Sequence, residues 1–152
     1  MQKRNYRILL VEDDADDRYI MQQAFTELSA ADDVKMFCSG EELYAYLHDL
    51  PEPAFPELFV LDYNMPAING AELALAIRGK EKLNGIPVVL YSTGMSPKLQ
   101  VELLRNGVLR CYDKGMEYGE VLQLAGSLLG LLPVSKEDFQ PERAGGAEWH
   151  SV

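Results

Sequence analysis

Two uninterrupted apolar runs in this chain each end on carboxylates: Ile8-Leu9-Leu10-Val11 leads into Glu12-Asp13-Asp14, and Leu58-Phe59-Val60-Leu61 leads into Asp62. About four apolar residues without polar alternation fit a strand covered on both faces, and such strands belong to parallel sheets flanked by helices. Ligands of open parallel sheets bind beyond the carboxyl ends of the strands. If the two strands are neighbours, several carboxylates converge there, and their repulsion must be relieved by protons or a cation. A divalent metal is the natural candidate.

The rest of the chain supplies the other elements of such a sheet. Residues 7 to 11 read as the first strand, followed by acids suited to capping a helix with Ile20, Met21, Ala24, Phe25 and Leu28 on its apolar stripe. Val34 to Phe37 reads as a second strand, and Ser39-Gly40-Glu41-Glu42 as a capping box opening a helix with Leu43, Tyr44 and Leu47. The Pro-rich stretch 51–56 ends that helix. Leu58 to Leu61 is the third strand, with a helix after Gly70; Val88 to Tyr91 is the fourth, with a helix from near Ser96-Pro97 carrying Leu99, Leu103 and Leu104. Val108 to Tyr112 reads as the fifth strand, reaching Asp113-Lys114, and the last helix as about Tyr118 to Leu132, stopped by Pro133. Five strand–helix alternations with right-handed crossovers predict a doubly wound five-stranded parallel sheet with helices on both faces. The flavodoxin-like order 2-1-3-4-5 makes the first and third strands neighbours at the switch point, so that Glu12, Asp13 and Asp62 meet in one crevice.

Composition narrows the partners. With 14 Lys and Arg against 24 Asp and Glu, the formal charge of −10 disfavours nucleic acid and anionic membranes. Residues 1–132 are expected to form one domain and 133–152 a short tail, flexible or docked, with Phe139 and Trp149 as anchors. Cys38 and Cys111 lack the spacing of zinc sites or disulfide scaffolds and read as small core residues in a reduced compartment. Neither a secretory signal nor a membrane span is legible, which suggests a cytoplasmic protein. His48, beside Asp49, reads as a solvated helix cap, and His150 lies in the tail.

The strand ends carry chemistry of more than one kind. Asp14, Asp16 and Asp17 are expected to cap or flank the first helix, but Glu12, Asp13 and Asp62 together exceed what two caps require. Spacing alone leaves metal ligands and solvated capping acids both open. Ser92 after the fourth strand offers a hydroxyl, and Lys114 after the fifth an ammonium, although each alone has an ordinary reading as a turn residue or a solvated charge. Around one crevice they suit a transferred phosphoryl group, with Asp62 as nucleophile and Mg²⁺ among the carboxylates.

Residues 5 to about 132 resemble the receiver domains of two-component response regulators. The resemblance is carried by Ile8-Leu9-Leu10-Val11-Glu12-Asp13-Asp14, by Leu61-Asp62-Tyr63-Asn64-Met65-Pro66 with Gly70, by Pro87-Val88-Val89-Leu90-Tyr91-Ser92, and by Asp113-Lys114. It implies a phosphorelay protein of the CheY-like, stand-alone type. Glu12 and Asp13 would hold Mg²⁺ with the backbone carbonyl of Asn64, Asp62 would accept a phosphoryl group from a histidine kinase or phosphotransfer protein, and Ser92 and Lys114 would contact its oxygens. Such a protein is not an enzyme in the usual sense, although it assists its own phosphorylation and dephosphorylation. Two alternatives stand beside this reading. One is a receiver-like scaffold that binds partners without phosphorylation; the other is a phosphohydrolase with an Asp nucleophile, against which Asn64 stands where a second Asp belongs.

Three positions depart from the receiver pattern. Gly115 follows the lysine where Pro is usual, which suggests a looser loop. Cys111 replaces the aromatic residue three before the lysine, and strand alternation points the neighbouring Tyr112 to the opposite face. Thr93 is bulkier than the small residue expected after the hydroxyl residue. Without a legible output domain, signalling is expected to pass through protein contacts of the receiver itself, to an unknown output protein or a second copy. The last helix carries apolar residues over about half its circumference, with Gln123, Gly126, Ser127 and Gly130 opposite, which suggests either the tail folded over it or a homodimer or partner surface on the last two helices.

Overall fold

The computed structural model describes residues 5–134. The two acid-tipped apolar runs form β1 (Ile8–Val11) and β3 (Leu58–Asp62), every residue of which is buried. They pair in parallel, Ile8 opposite Leu58 and Val11 opposite Leu61. Three further strands complete the sheet, β2 (Val34–Phe37), β4 (Val88–Ser92) and β5 (Arg110–Asp113), in the order β2-β1-β3-β4-β5 with every pairing parallel. This is the flavodoxin-like arrangement, and the switch point falls between β1 and β3.

Alternation along the strands divides the interior in two. Ile8, Leu10, Leu58, Val60, Val89 and Tyr91 face α1 (Ala15–Glu27) and α5 (Tyr118–Gly130), where Met21, Ala24, Phe25, Leu124, Ala125 and Leu128 meet them. Leu9, Val11, Phe59, Leu61, Val88 and Leu90 face the other layer, built from α2 (Gly40–His48), α3 (Gly70–Arg78) and α4 (Pro97–Arg105) through Leu43, Leu73, Ile77 and Leu103. The period of two extends past the strand ends, so Glu12 belongs with Leu10 on the α1/α5 face. Asp62 is in register with Tyr91 on that same face.

Several local expectations are corrected. β5 begins at Arg110 rather than Val108, because Val108 and Leu109 still belong to the turn entering the sheet, where the Leu109 N–H donates to the Val88 carbonyl. α5 stops at Gly130, although Leu131 and Leu132 still pack on the α1/α5 layer. Ile20, Leu28 and Leu104 are exposed, since each helix needs only a narrow stripe to cover the sheet. Cys38 is exposed and not a core residue: the chain leaves β2 there, and its N–H donates to Glu42. The capping box expected from Ser39 is half formed. Ser39 Oγ accepts from the Glu42 N–H, but the Glu42 carboxylate turns to Cys38. Cys111 packs against the α2/α3/α4 layer and Tyr112 against the other, as alternation requires. Gly115 takes a left-handed conformation (φ 82°), and Glu120 ties down the following loop by accepting from the Met116 and Glu117 N–H groups. The expected tail anchors Phe139 and Trp149, and His150, lie outside the described residues.

One close approach positions the end of β3. A Cβ placed on Gly70 would lie 2.5 Å from the Asp62 carbonyl oxygen, 2.8 Å from Tyr63 Cα and 2.9 Å from Leu90 Cδ2. The Gly70 N–H in turn donates to the Tyr63 carbonyl. Gly70→Ala is therefore expected to destabilise the fold by about 2–4 kcal/mol in urea unfolding through overpacking. Gly126→Ala, where a Cβ meets nothing within 4 Å, is expected to be neutral or stabilising by up to about 1 kcal/mol.

Candidate phosphoryl-acceptor site

The carboxyl ends of β1, β3 and β5 deliver the expected groups to one place. Glu12 is 0% and Asp62 1% exposed, and Glu12, Asp13 and Asp62 each bring a carboxylate oxygen within 4.8 Å of the others. Lys114 Nζ sits among acids, 3.1 Å from Glu12 Oε1, 3.3 Å from Asp62 Oδ2 and 2.8 Å from Asp17 Oδ2. It is not the solvated strand-end charge that composition alone allows. Backbone groups hold the acids from behind: the Asp14 N–H donates to Glu12 Oε2 at 3.0 Å and the Asn64 N–H to Asp62 Oδ1 at 3.1 Å. Asp14 itself caps α1, accepting from the Asp16 and Asp17 N–H groups, which is the structural role expected of it.

Ser92 closes the site at the end of β4. Its Oγ accepts from Asn64 Nδ2 at 2.9 Å and donates to the Thr93 carbonyl at 3.2 Å, so the hydroxyl links the loops after β3 and β4. Thr93 is exposed beside it. Two participants escaped the reading of the sequence. By sequence Asp17 belongs to the helix terminus alone, yet from the first turn of α1 it reaches Lys114. Tyr91 read only as strand core, yet its hydroxyl donates to Glu12 Oε1 at 2.7 Å. Period-two alternation, applied to Glu12 and Tyr91 together, would have placed both on one face.

These neighbours set the protonation of the acceptor. Burial first, and then the charge of Glu12, push the Asp62 carboxyl up to about 7, against the opposing pull of Lys114 and the Asn64 N–H. For Lys114, burial alone would lower the ammonium's pKa, but the hydrogen bond it donates to Asp17 and the charges of Glu12 and Asp62 raise it, so it stays a cation. The three carboxylates fit a hard divalent cation, since the donors are all oxygens, close together, and too crowded by like charge to remain ionised comfortably alone.

A flavodoxin-like sheet with clustered acids at its switch point and a lysine after its last strand defines a doubly wound α/β domain with a charged crevice at its strand ends. The chain belongs to the response regulator receiver domain family, which it matches over residues 8–125. It is similar to the probable methanogenesis regulatory protein FilR2 of Methanothrix harundinacea, 31% identical over 91 residues that make up 59% of each chain. A chemotaxis protein CheY homolog of Campylobacter jejuni is 28% identical over 102 residues, 67% of this chain and 75% of that one. Among solved structures, the phosphorylated cyanobacterial phytochrome response regulator RcpA superposes with a TM-score of 0.71 at 27% identity, over 84% of this chain and 94% of that one. The match spans less than two thirds of FilR2, and only 6% of a similar Dictyostelium discoideum hybrid signal transduction histidine kinase. No helix among the described residues is long and apolar enough to cross a membrane.

Crowding of the carboxylates yields a stability prediction. A carboxyl held at about 7 contributes stability at low pH that is lost as pH rises from its unfolded value near 3.8 through 7. Without metal at about pH 8, Asp62→Asn is expected to raise the unfolding free energy by about 1–3 kcal/mol, because it removes one of the crowded charges. Adding Mg²⁺ should raise the melting temperature of the natural protein more than that of the variant. Differential scanning calorimetry with and without Mg²⁺ checks both; a variant that melts lower than the natural protein in metal-free buffer contradicts the account.

Proposed function

We propose that this protein is a phospho-acceptor of a two-component phosphorelay in which Asp62 receives a phosphoryl group from the phosphohistidine of a sensor kinase or phosphotransfer protein. The observation that carries the reading is the environment of Asp62: a buried carboxylate with a lysine ammonium on one oxygen, a backbone N–H on the other, and two further acids beside it.

Each residue has a part that follows from its position. Asp62 attacks phosphorus with a carboxylate oxygen as the bond from phosphorus to the donor nitrogen breaks, leaving an acyl phosphate on Asp62 and the imidazole with the donor. Lys114 stays charged and lies within reach of Asp62 Oδ2, where the phosphoryl oxygens would come, so it neutralises charge as it accumulates. Ser92 offers its hydroxyl to a second phosphoryl oxygen, at the expense of its present donation to the Thr93 carbonyl. Glu12, Asp13, Asp62 and the backbone carbonyl of Asn64 are the groups that would hold Mg²⁺, which when bound would supply positive charge to acceptor and phosphoryl oxygens alike.

Output then passes through contacts of the receiver with another protein, in a population shift between two conformations. A second copy meeting through α4 and α5 is the form we favour, supported by the exposure of Val101, Leu104 and Leu109 on and just after α4. Gly126 on the outer side of α5 borders open space, so Gly126→Arg tests this contact without a clash inside the fold. Light scattering on the phosphorylated protein should show a smaller mass for Gly126→Arg; an unchanged mass removes the dimer.

The chemistry is tested by intact-mass measurement after incubation with acetyl phosphate. One added phosphoryl group is expected with Mg²⁺, far less without it, and none in Asp62→Ala. A gain that ignores Mg²⁺ and survives the substitution sinks the mechanism, and no gain in any condition leaves a receiver-like scaffold.

A further inference from the structure

Tyr91 is 1% exposed and lies in β4 directly before Ser92, on the α1/α5 face of the sheet. Its ring packs in that apolar layer with the Lys114 ammonium 5.6 Å from its centroid, and a phenylalanine would fill the same volume and keep that contact. What distinguishes the tyrosine is the hydroxyl, and that hydroxyl donates to Glu12 Oε1 at 2.7 Å, a contact between residues 79 positions apart in the chain. A buried phenol needs a hydrogen-bond partner. Here the partner is an acid of the candidate metal site, on a strand two places away in the sheet.

Glu12 is fully buried, and its side chain is served by Tyr91 Oη and Lys114 Nζ at Oε1 and by the Asp14 N–H at Oε2. They are not equivalent. Lys114 is divided among Glu12, Asp17 and Asp62, and the phosphoryl chemistry proposed above draws it toward the acceptor. The Asp14 N–H is fixed in the backbone and reaches one oxygen only. Among the described residues Tyr91 is the side-chain donor with no second acceptor to serve, held by packing on the α1/α5 face of the sheet. A carboxylate accepts about four hydrogen bonds, so this donor leaves Glu12 free to face the other acids as well.

We propose that Tyr91 is a positioning residue of the metal site, its hydroxyl fixing the orientation of the Glu12 carboxylate so that Glu12, Asp13 and Asp62 present their oxygens together to a divalent cation. The inference rests on the receiver reading and deepens it, because it assigns a residue of the strand core to the assembly of the cation site. A packing role alone would make the hydroxyl dispensable, and a competing role would make it an obstacle to the cation.

Isothermal titration calorimetry with Mg²⁺, on the full chain and without any phosphoryl donor, separates these cases. Tyr91→Phe keeps the ring and removes the hydroxyl. It is expected to weaken Mg²⁺ binding roughly tenfold, the scale of losing one hydrogen bond to a charged group beside a metal. In a Glu12→Gln background the same substitution should change Mg²⁺ affinity by less than about twofold, because the group it positions is no longer a carboxylate. Labelling by acetyl phosphate should slow in Tyr91→Phe at low Mg²⁺ and recover as Mg²⁺ is raised. Unchanged or tighter Mg²⁺ binding by Tyr91→Phe overturns the proposal, as does an equal loss in the Glu12→Gln background. Failure of the natural protein to bind Mg²⁺ at all overturns the phospho-acceptor reading beneath it, a result distinguishable from the others because it precedes any substitution.

Discussion

Lys114 and the carboxylates around it are the constraint on which the rest of the molecule turns. A parallel sheet whose first and third strands adjoin brings Glu12 and Asp62 to one spot by topology alone, and both are buried there. Like charges at this separation in a poorly hydrated place repel strongly. One ammonium shared among Glu12, Asp17 and Asp62 relieves part of that repulsion, while burial first, and then the remaining charge of Glu12, push the Asp62 carboxyl up to about 7. The apolar strands beneath supply the stability that lets so unfavourable an arrangement persist. What remains unrelieved is a capacity to take up positive charge.

Much of the fold could be read from patterning. The unbroken apolar runs of β1, β3 and β4 announced strands buried on both sides, and five alternations with helical segments left few topologies. The edge was harder. β5 is only partly buried, so its run carries less hydrophobic signal, and the sequence pattern extended it too far toward its start. Cys38 shows the complementary difficulty: a small residue beside a strand is indistinguishable by type from a core residue, and only the departure of the chain from the sheet made it a surface one.

The candidate site divides along a similar line. Glu12, Asp13, Asp62, Ser92 and Lys114 were legible because each ends or follows a strand, and the switch point of such a sheet collects strand ends. Asp17 was hidden because its partner is set by how α1 lies against the sheet, which no local pattern encodes. Tyr91 was hidden for another reason: aromatic residues in strands ordinarily signal packing, and the polar end of the ring acquires meaning only when the register places it beside Asp62. The departures at Cys111 and Gly115 have structural counterparts. Cys111 faces one layer and Tyr112 the other, while Gly115 adopts a conformation that a side chain would strain, followed by a loop pinned by Glu120.

The contact between Gly70 and the end of β3 gives the acceptor its mechanical setting. With no side chain in between, the backbone at the start of α3 abuts the carbonyl of Asp62 and the Cα of Tyr63, so the interface has almost no compliance. A cushion of flexible side chains would absorb small movements of a helix; bare backbone against backbone passes them on. The start of α3 and the end of β3 are therefore held at a fixed separation by backbone alone, pinned by the Gly70 N–H on the Tyr63 carbonyl.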